Sequence, residues 1–470
     1  MNAATFAGNP VVSAELLSRL DAAGPRYTSY PTADRFVEAF GPVDHAQALQ
    51  SRVQGAARNA GLTPLSLYVH IPFCESVCYY CACNKIITRH HERAAPYLDA
   101  LEVEIALHAS ELGANQPVSQ LHLGGGTPTF LSDAELTRLM QMLRRAFAIA
   151  SNAEISIEVD PRTADPQRLR QLAALGFNRL SLGVQDFDAD VQAAVHRVQS
   201  LESVRSLLEA ARTLRFDSTN VDLIYGLPRQ TVVSFERTVA QICELRPDRI
   251  ALYAYAHLPQ RFKPQRRIDA AALPSPPQKI EMLAQAIRGF TAAGYCYIGM
   301  DHFALPGDAL AVAKRQGRLQ RNFQGYSTQP DCDLIGLGVS AISRLGATYS
   351  QNAKTLAEYQ DALAHHEFPV ARGLALTRDD LVRRAVIMAL MCQGRVEFES
   401  IALAHLVDFR KVFAAELQAL RPLQADGLVL VDDDAIEITP LGWYFVRNAA
   451  MVFDRHLQAD RARSHYSRVI

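Results

Sequence analysis

The sequence has almost no net charge, no long apolar run and no basic leader, and each absence excludes a class of protein. Its 48 Lys and Arg nearly balance its 49 Asp and Glu, so neither a general nucleic-acid-binding surface nor a polybasic membrane anchor is expected. No apolar run reaches the roughly 18 residues that cross a bilayer. The N-terminal stretch has no Lys or Arg before Arg19, unlike a signal peptide. These features predict a soluble, cytoplasmic protein that binds neither nucleic acid nor membrane.

The composition is that of a folded chain with a sizeable hydrophobic core. Apolar residues make up 49% of the sequence and charged residues 21%, and there are 20 Phe and 16 Tyr. This balance excludes an intrinsically disordered chain, a coiled coil and a collagen. The 470 residues suit two or three domains, or one large barrel with an appendage.

From about residue 65 onward, short β-branched or aromatic runs alternate with longer segments of helical periodicity. This alternation predicts an α/β fold with a parallel sheet, and six units suit a partial (β/α)6 TIM-like barrel. A doubly wound open sheet is the alternative, but no Gly-x-Gly-x-x-Gly follows the first strand. The predicted strands are 66–73, 120–125, 154–160, 179–185, 219–227 and 249–258, and the predicted helices are 95–112, 132–147, 166–174, 201–214 and 232–245.

Four regions are predicted along the chain. Residues 1–54 form an irregular N-terminal arm, and residues 55–300 form the partial barrel. Residues 301–365, rich in Gly and aromatic residues, are predicted to be a loop-rich extension that closes the active site. Residues 366–470 are predicted to form a mostly helical domain with helices at 374–392 and 409–420. Within it, 427–440 predicts a small β-hairpin that turns at the Asp run, as in a winged helix.

Four of the eight cysteines lie within ten residues, which in a cytosolic chain indicates metal or redox chemistry and not a disulfide framework. Cys74-x3-Cys78-x2-Cys81 directly follows the first predicted strand. Three thiolates on one loop can ligate three irons of a 4Fe–4S cluster and leave the fourth iron open for chemistry. A zinc site or an electron-transfer cluster is the alternative at this point. The four scattered cysteines are interpreted as buried small apolar residues.

Further candidates lie at the carboxyl ends of the later strands. The glycines of Gly124-Gly-Gly-Thr-Pro128 suit either a strand-to-helix turn or a close approach of the backbone to a cofactor. Glu158, Gln185 and Asp222 end the third, fourth and fifth strands. Because an unpaired buried carboxylate is costly, each acid is expected to face a ligand or to form a salt bridge with a helix.

The stretch Tyr68-Val-His-Ile-Pro-Phe-Cys74-x3-Cys78-Tyr-Tyr80-Cys81 resembles the signature of radical S-adenosylmethionine enzymes. With Cys83-Asn-Lys and a further set of motifs, the chain from Pro25 to its C-terminus resembles the oxygen-independent coproporphyrinogen III oxidase family. These motifs are Pro25-Arg-Tyr-Thr-Ser-Tyr-Pro-Thr, Leu123-Gly-Gly-Gly-Thr127-Pro, Glu158-Val-Asp-Pro, Gly183-Val-Gln185-Asp-Phe, Asn220-Val-Asp222-Leu-Ile-Tyr-Gly-Leu-Pro, Gly299-Met-Asp-His-Phe, Arg321-Asn-Phe-Gln-Gly-Tyr, Gly338-Val-Ser-Ala-Ile342-Ser and Tyr466-Ser-Arg-Val-Ile470.

The resemblance implies a cofactor set and a division of the site residues. It implies a 4Fe–4S cluster on Cys74, Cys78 and Cys81, and two molecules of S-adenosylmethionine. It places Glu158 at the cluster-bound S-adenosylmethionine. The second molecule is expected to lie among Gln185, Arg197, Asp222 and Ala256. Further contacts to one or the other molecule are expected from Tyr68, Tyr80, Gly125, Gly126, Thr127 and Ile342.

The implied reaction is oxidative decarboxylation of two propionate side chains of coproporphyrinogen III to vinyl groups, giving protoporphyrinogen IX. The resemblance also implies that Cys83 is required without being a cluster ligand, and a packed thiol is the alternative. The arm around Tyr27 and Tyr30 is expected either to enclose substrate or simply to be anchored. We expect a monomer. A haem-trafficking protein on the same scaffold, a radical enzyme of haem degradation and a structural zinc protein are the alternatives.

Overall fold

The computed structural model describes residues 13–22, 24–58, 63–113 and 115–459. Its strands are β1 Leu65–Ile71, β2 Phe73–Cys74, β3 Ile86–Ile87, β4 Gln116–Gly125, β5 Phe147–Val159, β6 Arg179–Gln185, β7 Ser218–Tyr225, β8 Arg249–Ala254, β9 Cys296–Gly299, β10 His302–Ala304, β11 Gln320–Asn322, β12 Gly325–Ser327, β13 Leu334–Leu337, β14 Ile342–Leu345, β15 Thr348–Asn352, β16 Val370–Ala375, β17 Arg395–Glu397, β18 Val429–Val431 and β19 Ala435–Ile438.

The α-helices of the described residues lie between and after these strands. They are α1 Ala14–Leu20, α2 Pro42–Arg58, α3 Ala94–Leu112, α4 Asp133–Ala146, α5 Pro166–Ala174, α6 Ala189–Ala194, α7 Leu201–Thr213, α8 Val232–Leu245, α9 Pro276–Ala292, α10 Ala309–Arg315, α11 Leu356–Ala364, α12 Arg378–Gln393, α13 Phe398–His405, α14 Phe409–Val412, α15 Ala414–Ala419, α16 Arg421–Ala425, α17 Val446–Val452 and α18 Arg455–Ala459. None of the helices that the structure describes is long and apolar enough to cross a membrane.

Six parallel strands form the centre of one large sheet, in the order β1, β4, β5, β6, β7 and β8. The helices α3, α4, α5, α7 and α8 lie between consecutive strands along the chain, as the alternation of the sequence predicts. The partial (β/α)6 barrel is therefore confirmed. The parallel arrangement places the carboxyl ends of β1 and of β4 to β8 at the same edge of the sheet.

Local sequence explains why these helices begin where they do. Ser132 and Glu135 form a capping box at the start of α4, and Asp165 caps α5 ahead of Pro166. Such caps satisfy backbone N–H groups that have no partner within the helix. The Leu and Met residues of α4 recur at helical spacing and are buried against the sheet.

The sheet extends beyond the predicted barrel on both sides. β13 joins the outer side of β1 as a further parallel strand, and β14, β15 and β16 continue antiparallel. On the other side β10 and β9 follow β8 in antiparallel pairing. The sequence does not predict these strands, because most of them have only three to five residues, which are too few to show an alternation.

Two stretches contain more regular structure than their composition indicates. The N-terminal region contains α2, and the stretch 300–346 contains β10 to β14 and α10. The short strands among these elements are stabilised by pairing with neighbouring strands, so composition alone could not show them. The division into four domains stays a prediction.

The C-terminal region is mostly helical and contains a three-stranded antiparallel sheet in the order β17, β19 and β18. The predicted hairpin is present as β18 and β19, and the Asp run lies between them. β17 adds a strand that was not predicted. The predicted helix 409–420 is interrupted at Phe413, which separates α14 from α15 and is fully buried.

Candidate active site

A cavity of about 220 Å³ opens at the carboxyl ends of β4 to β7, beside the cysteine loop that follows β1. Parallel barrels of this kind hold their catalytic groups at this edge. Many of the residues predicted from sequence line it together: Cys74, Cys78, Tyr80, Cys81, Gly125, Gly126, Thr127, Glu158, Gln185, Arg197 and Asp222, with Cys83 beside them.

The three predicted ligand cysteines lie on one loop and are all free thiols. Cys74 ends β2, and the Thr127 hydroxyl donates a hydrogen bond to its sulfur over 3.4 Å. The Arg197 guanidinium donates to the sulfur of Cys78, also over 3.4 Å. A hydrogen bond with Cys83 lowers the pKa of Cys81 to about 6, while the same contact raises the pKa of Cys83.

This donor set fits an iron–sulfur cluster. Thiolates are the protein ligands of 4Fe–4S clusters, and hydrogen bonds to the sulfurs together with a nearby cation offset their negative charge. No three His, Cys, Asp or Glu side chains of the described residues converge on a single metal ion. In a 4Fe–4S cluster each thiolate binds a different iron, so the three sulfurs do not need to converge on a single metal position.

The glycine turn lies directly against the cysteine loop. The backbone N–H groups of Gly126 and Thr127 donate to the carbonyls of Ile71 and Phe73, over 2.8 Å each. A Cβ on Gly126 would lie 2.7 Å from the carbonyl oxygen of Phe73. Gly125 has a φ of +112°, and a Cβ there would lie 2.6 Å from the ring of His70. Both glycines are therefore required for the close approach of β4 to the cysteine loop.

Contacts on two sides hold the Glu158 side chain in place. It lines the cavity, and 44% of the side chain is exposed. One carboxylate oxygen accepts the backbone N–H of Gly125 over 3.1 Å, and the other lies 3.5 Å from Nε2 of His122. Tyr68 in turn stacks on His122, with 5.8 Å between ring centroids. Burial acts to raise the pKa of Glu158, but His122 and the Gly125 N–H together hold it below its usual value.

Arg197 is paired within its own chain. It lies in a loop after α6 and is buried. Its guanidinium forms two hydrogen bonds of 3.2 Å with Asp160 and donates to the carbonyl of Gly183 over 2.6 Å. Burial acts to raise the pKa of Asp160, but Arg197 and Arg162 together hold it below its usual value. Arg197 is therefore paired with a carboxylate of its own chain.

Asp222 lies on β7 and Gln185 ends β6, so both are farther along the sheet from the glycine turn. Asp222 accepts hydrogen bonds from the Ser181 hydroxyl over 3.2 Å and from the Asn220 amide over 2.8 Å. Burial, reinforced by the charge of Glu158, raises the pKa of Asp222 to about 6. Gln185 ends β6 with a φ of +71°, an uncommon conformation for a residue with a side chain.

Three predicted contacts lie outside the residues that line this cavity. Tyr68 lies on β1, Ala256 follows the end of β8, and Ile342 begins β14. Sequence reasoning also missed lining residues, of which Asp160 and Arg162 are the most notable. The motif Glu158-Val-Asp-Pro contained Asp160, and its place two residues after Glu158, at the carboxyl end of β5, was the available signal.

The N-terminal arm is held by the C-terminal region. Tyr27 and Tyr30 are fully buried, and the Tyr27 hydroxyl donates to Asp454 over 3.0 Å. The guanidinium of Arg447 donates to the backbone carbonyls of Gly24 and Pro25. These contacts describe an anchored arm; enclosure of substrate by the arm stays a prediction.

Comparisons with known proteins define the class. A family model described as the radical SAM superfamily matches residues 68–242, which contain most of β1, the cysteine loop and the strands up to β7. A model described as the HemN C-terminal domain matches residues 376–445. The barrel, the cysteine loop and these matches identify a radical S-adenosylmethionine protein, and such proteins carry a 4Fe–4S cluster and S-adenosylmethionine.

Relatives over the full length identify the family. The oxygen-independent coproporphyrinogen III oxidases of Pseudomonas aeruginosa and Escherichia coli are 52% and 50% identical to this chain, over 97% of this chain and 98% of each relative. The solved structure of coproporphyrinogen III oxidase from Escherichia coli, described as a radical SAM enzyme, matches with a TM-score of 0.87 at 51% identity, over 92% of this chain and 98% of that one. This chain belongs to the oxygen-independent coproporphyrinogen III oxidase family.

Proposed function

We propose that this chain oxidatively decarboxylates two propionate side chains of coproporphyrinogen III to vinyl groups, giving protoporphyrinogen IX in oxygen-independent haem biosynthesis. The observation that carries the proposal is the three-cysteine cavity at the strand ends, in a chain 52% identical over 97% of its length to an enzyme of that name. A haem-trafficking protein on the same scaffold is not favoured by this full-length similarity.

Within this reaction, Cys74, Cys78 and Cys81 hold the 4Fe–4S cluster. Bound there, the cluster and S-adenosylmethionine would supply radical abstraction of hydrogen from the propionate carbon β to the carboxylate, with loss of CO2 and transfer of one electron to an acceptor. The Thr127 hydroxyl and the Arg197 guanidinium donate hydrogen bonds to two of the three sulfurs and so stabilise their negative charge. Reducing conditions keep such thiols available, so we place the reaction in the cytoplasm.

Glu158 and the glycine turn bind the first S-adenosylmethionine. The Glu158 carboxylate is held by the Gly125 N–H and points its exposed part into the cavity, where it can accept ribose hydroxyls or an ammonium group. Tyr80, Gly126 and Thr127 border the same space.

A second S-adenosylmethionine is proposed because two side chains require two radicals. Gln185, Arg197 and Asp222 line the same cavity and are proposed to contact this molecule. Tyr68, Ala256 and Ile342 complete the predicted contacts. Tyr68 supports Glu158 through His122.

The proposal is tested by an anaerobic assay of reconstituted protein with coproporphyrinogen III, S-adenosylmethionine and dithionite, in which 5′-deoxyadenosine and protoporphyrinogen are measured together. About two molecules of cofactor cleaved per product are expected. Cys78→Ala abolishes both products, whereas Cys243→Ala, on α8 away from the cavity, keeps them. Cofactor cleavage without porphyrin product contradicts this substrate, and consumption of intact haem indicates haem degradation instead.

A further inference from the structure

A second and larger cavity lies where the edge of the barrel sheet meets the C-terminal region. It measures about 690 Å³ and is lined by residues of β9, α10, β17 and β19 and of the segment 440–444. We name it the junction cavity and define it by Tyr295, Tyr297, Lys314, Arg315, Trp443 and Tyr444. No residue lines both this cavity and the cysteine cavity. Its size and its place between two structural units are typical of ligand sites.

The sheet register separates the junction cavity from the cysteine cavity. Tyr297 of β9 pairs with Phe303 of β10, which pairs with Ile250, the second residue of β8. The junction cavity therefore lies at the level of the amino end of β8, on the outer edge of the sheet. The cysteines and Glu158 lie at the opposite, carboxyl ends of the strands.

The walls of the junction cavity are largely aromatic. The rings of Tyr297 and Tyr444 lie with their centroids 4.5 Å apart, tilted by 32°. Trp443 packs so closely on Gly394 that a Cβ at that glycine would lie 2.5 Å from the indole ring. Such rigid ring faces suit a flat, conjugated ligand.

The charges around the cavity are mostly positive. Its charged lining residues are Lys314, Arg315, Arg395 and Glu437. Glu437 is paired with Arg395 over 3.3 Å, and burial lowers the pKa of Lys314 to about 7, so Arg315 carries the unbalanced charge of the lining. Arg315 donates to the carbonyl of Pro306 and has no acidic partner among the described residues. The unbalanced charge favours an anion.

Lys314 forms part of the wall of the junction cavity. Its ammonium lies 3.7 Å from the centroid of the Trp443 ring and donates to the carbonyls of Tyr297 and Ile298, over 2.8 and 2.9 Å. These contacts fix the Lys314 side chain between α10 and the edge strand β9.

We propose that the junction cavity binds a planar aromatic anion, with its ring beside the aromatic side chains of the lining and its carboxylate or phosphate at Arg315. A porphyrin carboxylate and a flavin phosphate share this chemistry. The proposal does not depend on the proposed function, because no residue of the cysteine cavity takes part in it.

The single tryptophan of the chain makes the test specific, because Trp443 lies in the cavity wall. The holoenzyme is titrated with flavin mononucleotide in one arm and with protoporphyrin IX in the other, and tryptophan fluorescence is followed. Saturable quenching is expected with at least one of the two ligands, and the ligand that quenches shows whether the cavity binds a porphyrin or a flavin. Arg315→Ala is expected to weaken that binding at least fivefold, and Arg315→Lys to restore most of it. Arg318→Ala, a nearby exposed arginine that contacts Gln316, is the matched control with unchanged affinity.

Two results overturn the proposal. The first is the absence of saturable quenching in both arms. The second is quenching with the same affinity in Arg315→Ala as in the parent protein, which would place the ligand elsewhere, such as in the cysteine cavity. Circular dichroism of Arg315→Ala and Arg315→Lys establishes that both variants are folded.

Discussion

At the scale of single residues, the candidate site is organised around two carboxylates at the carboxyl end of β5. Glu158 lies on β5, Asp160 directly follows its last residue, and both line the cavity. Glu158 is held by a backbone N–H and stays open to a ligand, whereas Asp160 is buried between Arg162 and Arg197. One carboxylate is therefore available to bind and the other fixes the cation beside Cys78.

Glu158→Gln is expected to weaken binding of S-adenosylmethionine without unfolding the protein. The amide keeps the shape but loses the charge, and hydrogen bonds to a charged group contribute about 1.5–3 kcal/mol, a factor of about 10 to 150 in affinity. Calorimetric titration of the cluster-loaded protein measures the change, with the exposed Glu236→Gln on α8 as the control. An affinity equal to that of the parent protein contradicts the role of Glu158.

Asp160→Asn is expected to lower the free energy of unfolding by about 3–5 kcal/mol, because it leaves two guanidinium groups without their counter-charge. The side chains of Asp160 and Arg197 are each only 8% exposed, so water cannot replace the lost partner. Urea unfolding of the reduced, cluster-free protein measures the loss. Asp361→Asn, at a side chain that is 78% exposed, is expected to change stability by less than about 0.5 kcal/mol. A loss below about 1 kcal/mol for Asp160→Asn would show that the ion pair is dispensable.

At the scale of secondary-structure elements, one buried side chain of α3 hydrogen-bonds to the region of β13 to β15 and α11 beside the barrel. Glu104 is fully buried and accepts hydrogen bonds from the Gly338 N–H over 2.7 Å, from the Tyr359 hydroxyl over 2.6 Å and from the Asn352 amide over 2.6 Å. These donors lie just after β13, on α11 and at the end of β15. A single carboxylate therefore joins three elements to α3.

This carboxylate is expected to make stability depend on pH. Burial raises the pKa of Glu104 to about 7, against about 4.3 in an unfolded chain. Between these values the folded state keeps a proton that the unfolded state has released. The contribution of Glu104 to stability is therefore complete below about pH 4.3 and is lost as the pH rises through about 7.

The measurement is the free energy of unfolding of the parent protein minus that of Glu104→Gln, from pH 5 to pH 8. The difference is expected to fall by at most about 1.4 kcal/mol per pH unit up to about pH 7 and then to level off. Glu102→Gln, exposed on the same helix, is the control and should give a flat difference. A flat profile for Glu104→Gln would show that Glu104 is ionised throughout.

At the scale of the whole molecule, the arm, the barrel and the C-terminal region share one hydrophobic core. Tyr27 of the arm, Leu67 of β1 and Phe453 after α17 belong to the same buried cluster. Arg447 and Asp454 bind the arm, and the Tyr326 hydroxyl donates to the carbonyl of Met391 on α12. These regions are therefore expected to lose their structure together.

The reduced, cluster-free protein is expected to unfold in a single transition. Fluorescence of Trp443 reports on the junction with the C-terminal region, and far-ultraviolet circular dichroism reports mainly on the helices of the whole chain. Coincident urea midpoints for the two probes are the expected result. An earlier midpoint for Trp443 would show that the C-terminal region unfolds independently of the barrel.

Sequence reasoning predicted the central barrel closely because its elements are long and periodic. The strand Arg179–Gln185 and the helices Pro166–Ala174 and Val232–Leu245 have the predicted bounds. It failed for strands of three to five residues such as Leu334–Leu337, because their conformation depends on the strands beside them. At the site it found the cysteine loop, the glycine turn and Glu158, and it missed the partnership of Asp160 with Arg197.

The sequence by itself determined the α/β repeat, the cysteine spacing and the polar strand ends. These depend on neighbouring residues along the chain, where side-chain periodicity and backbone preference act directly. Only the tertiary structure decided that Arg197 pairs with Asp160, 37 residues away, and that β13 joins β1. It also decided that Lys314 meets Trp443 at the junction cavity. Such contacts join residues far apart in the chain, and their energies depend on burial and charge that exist only after folding.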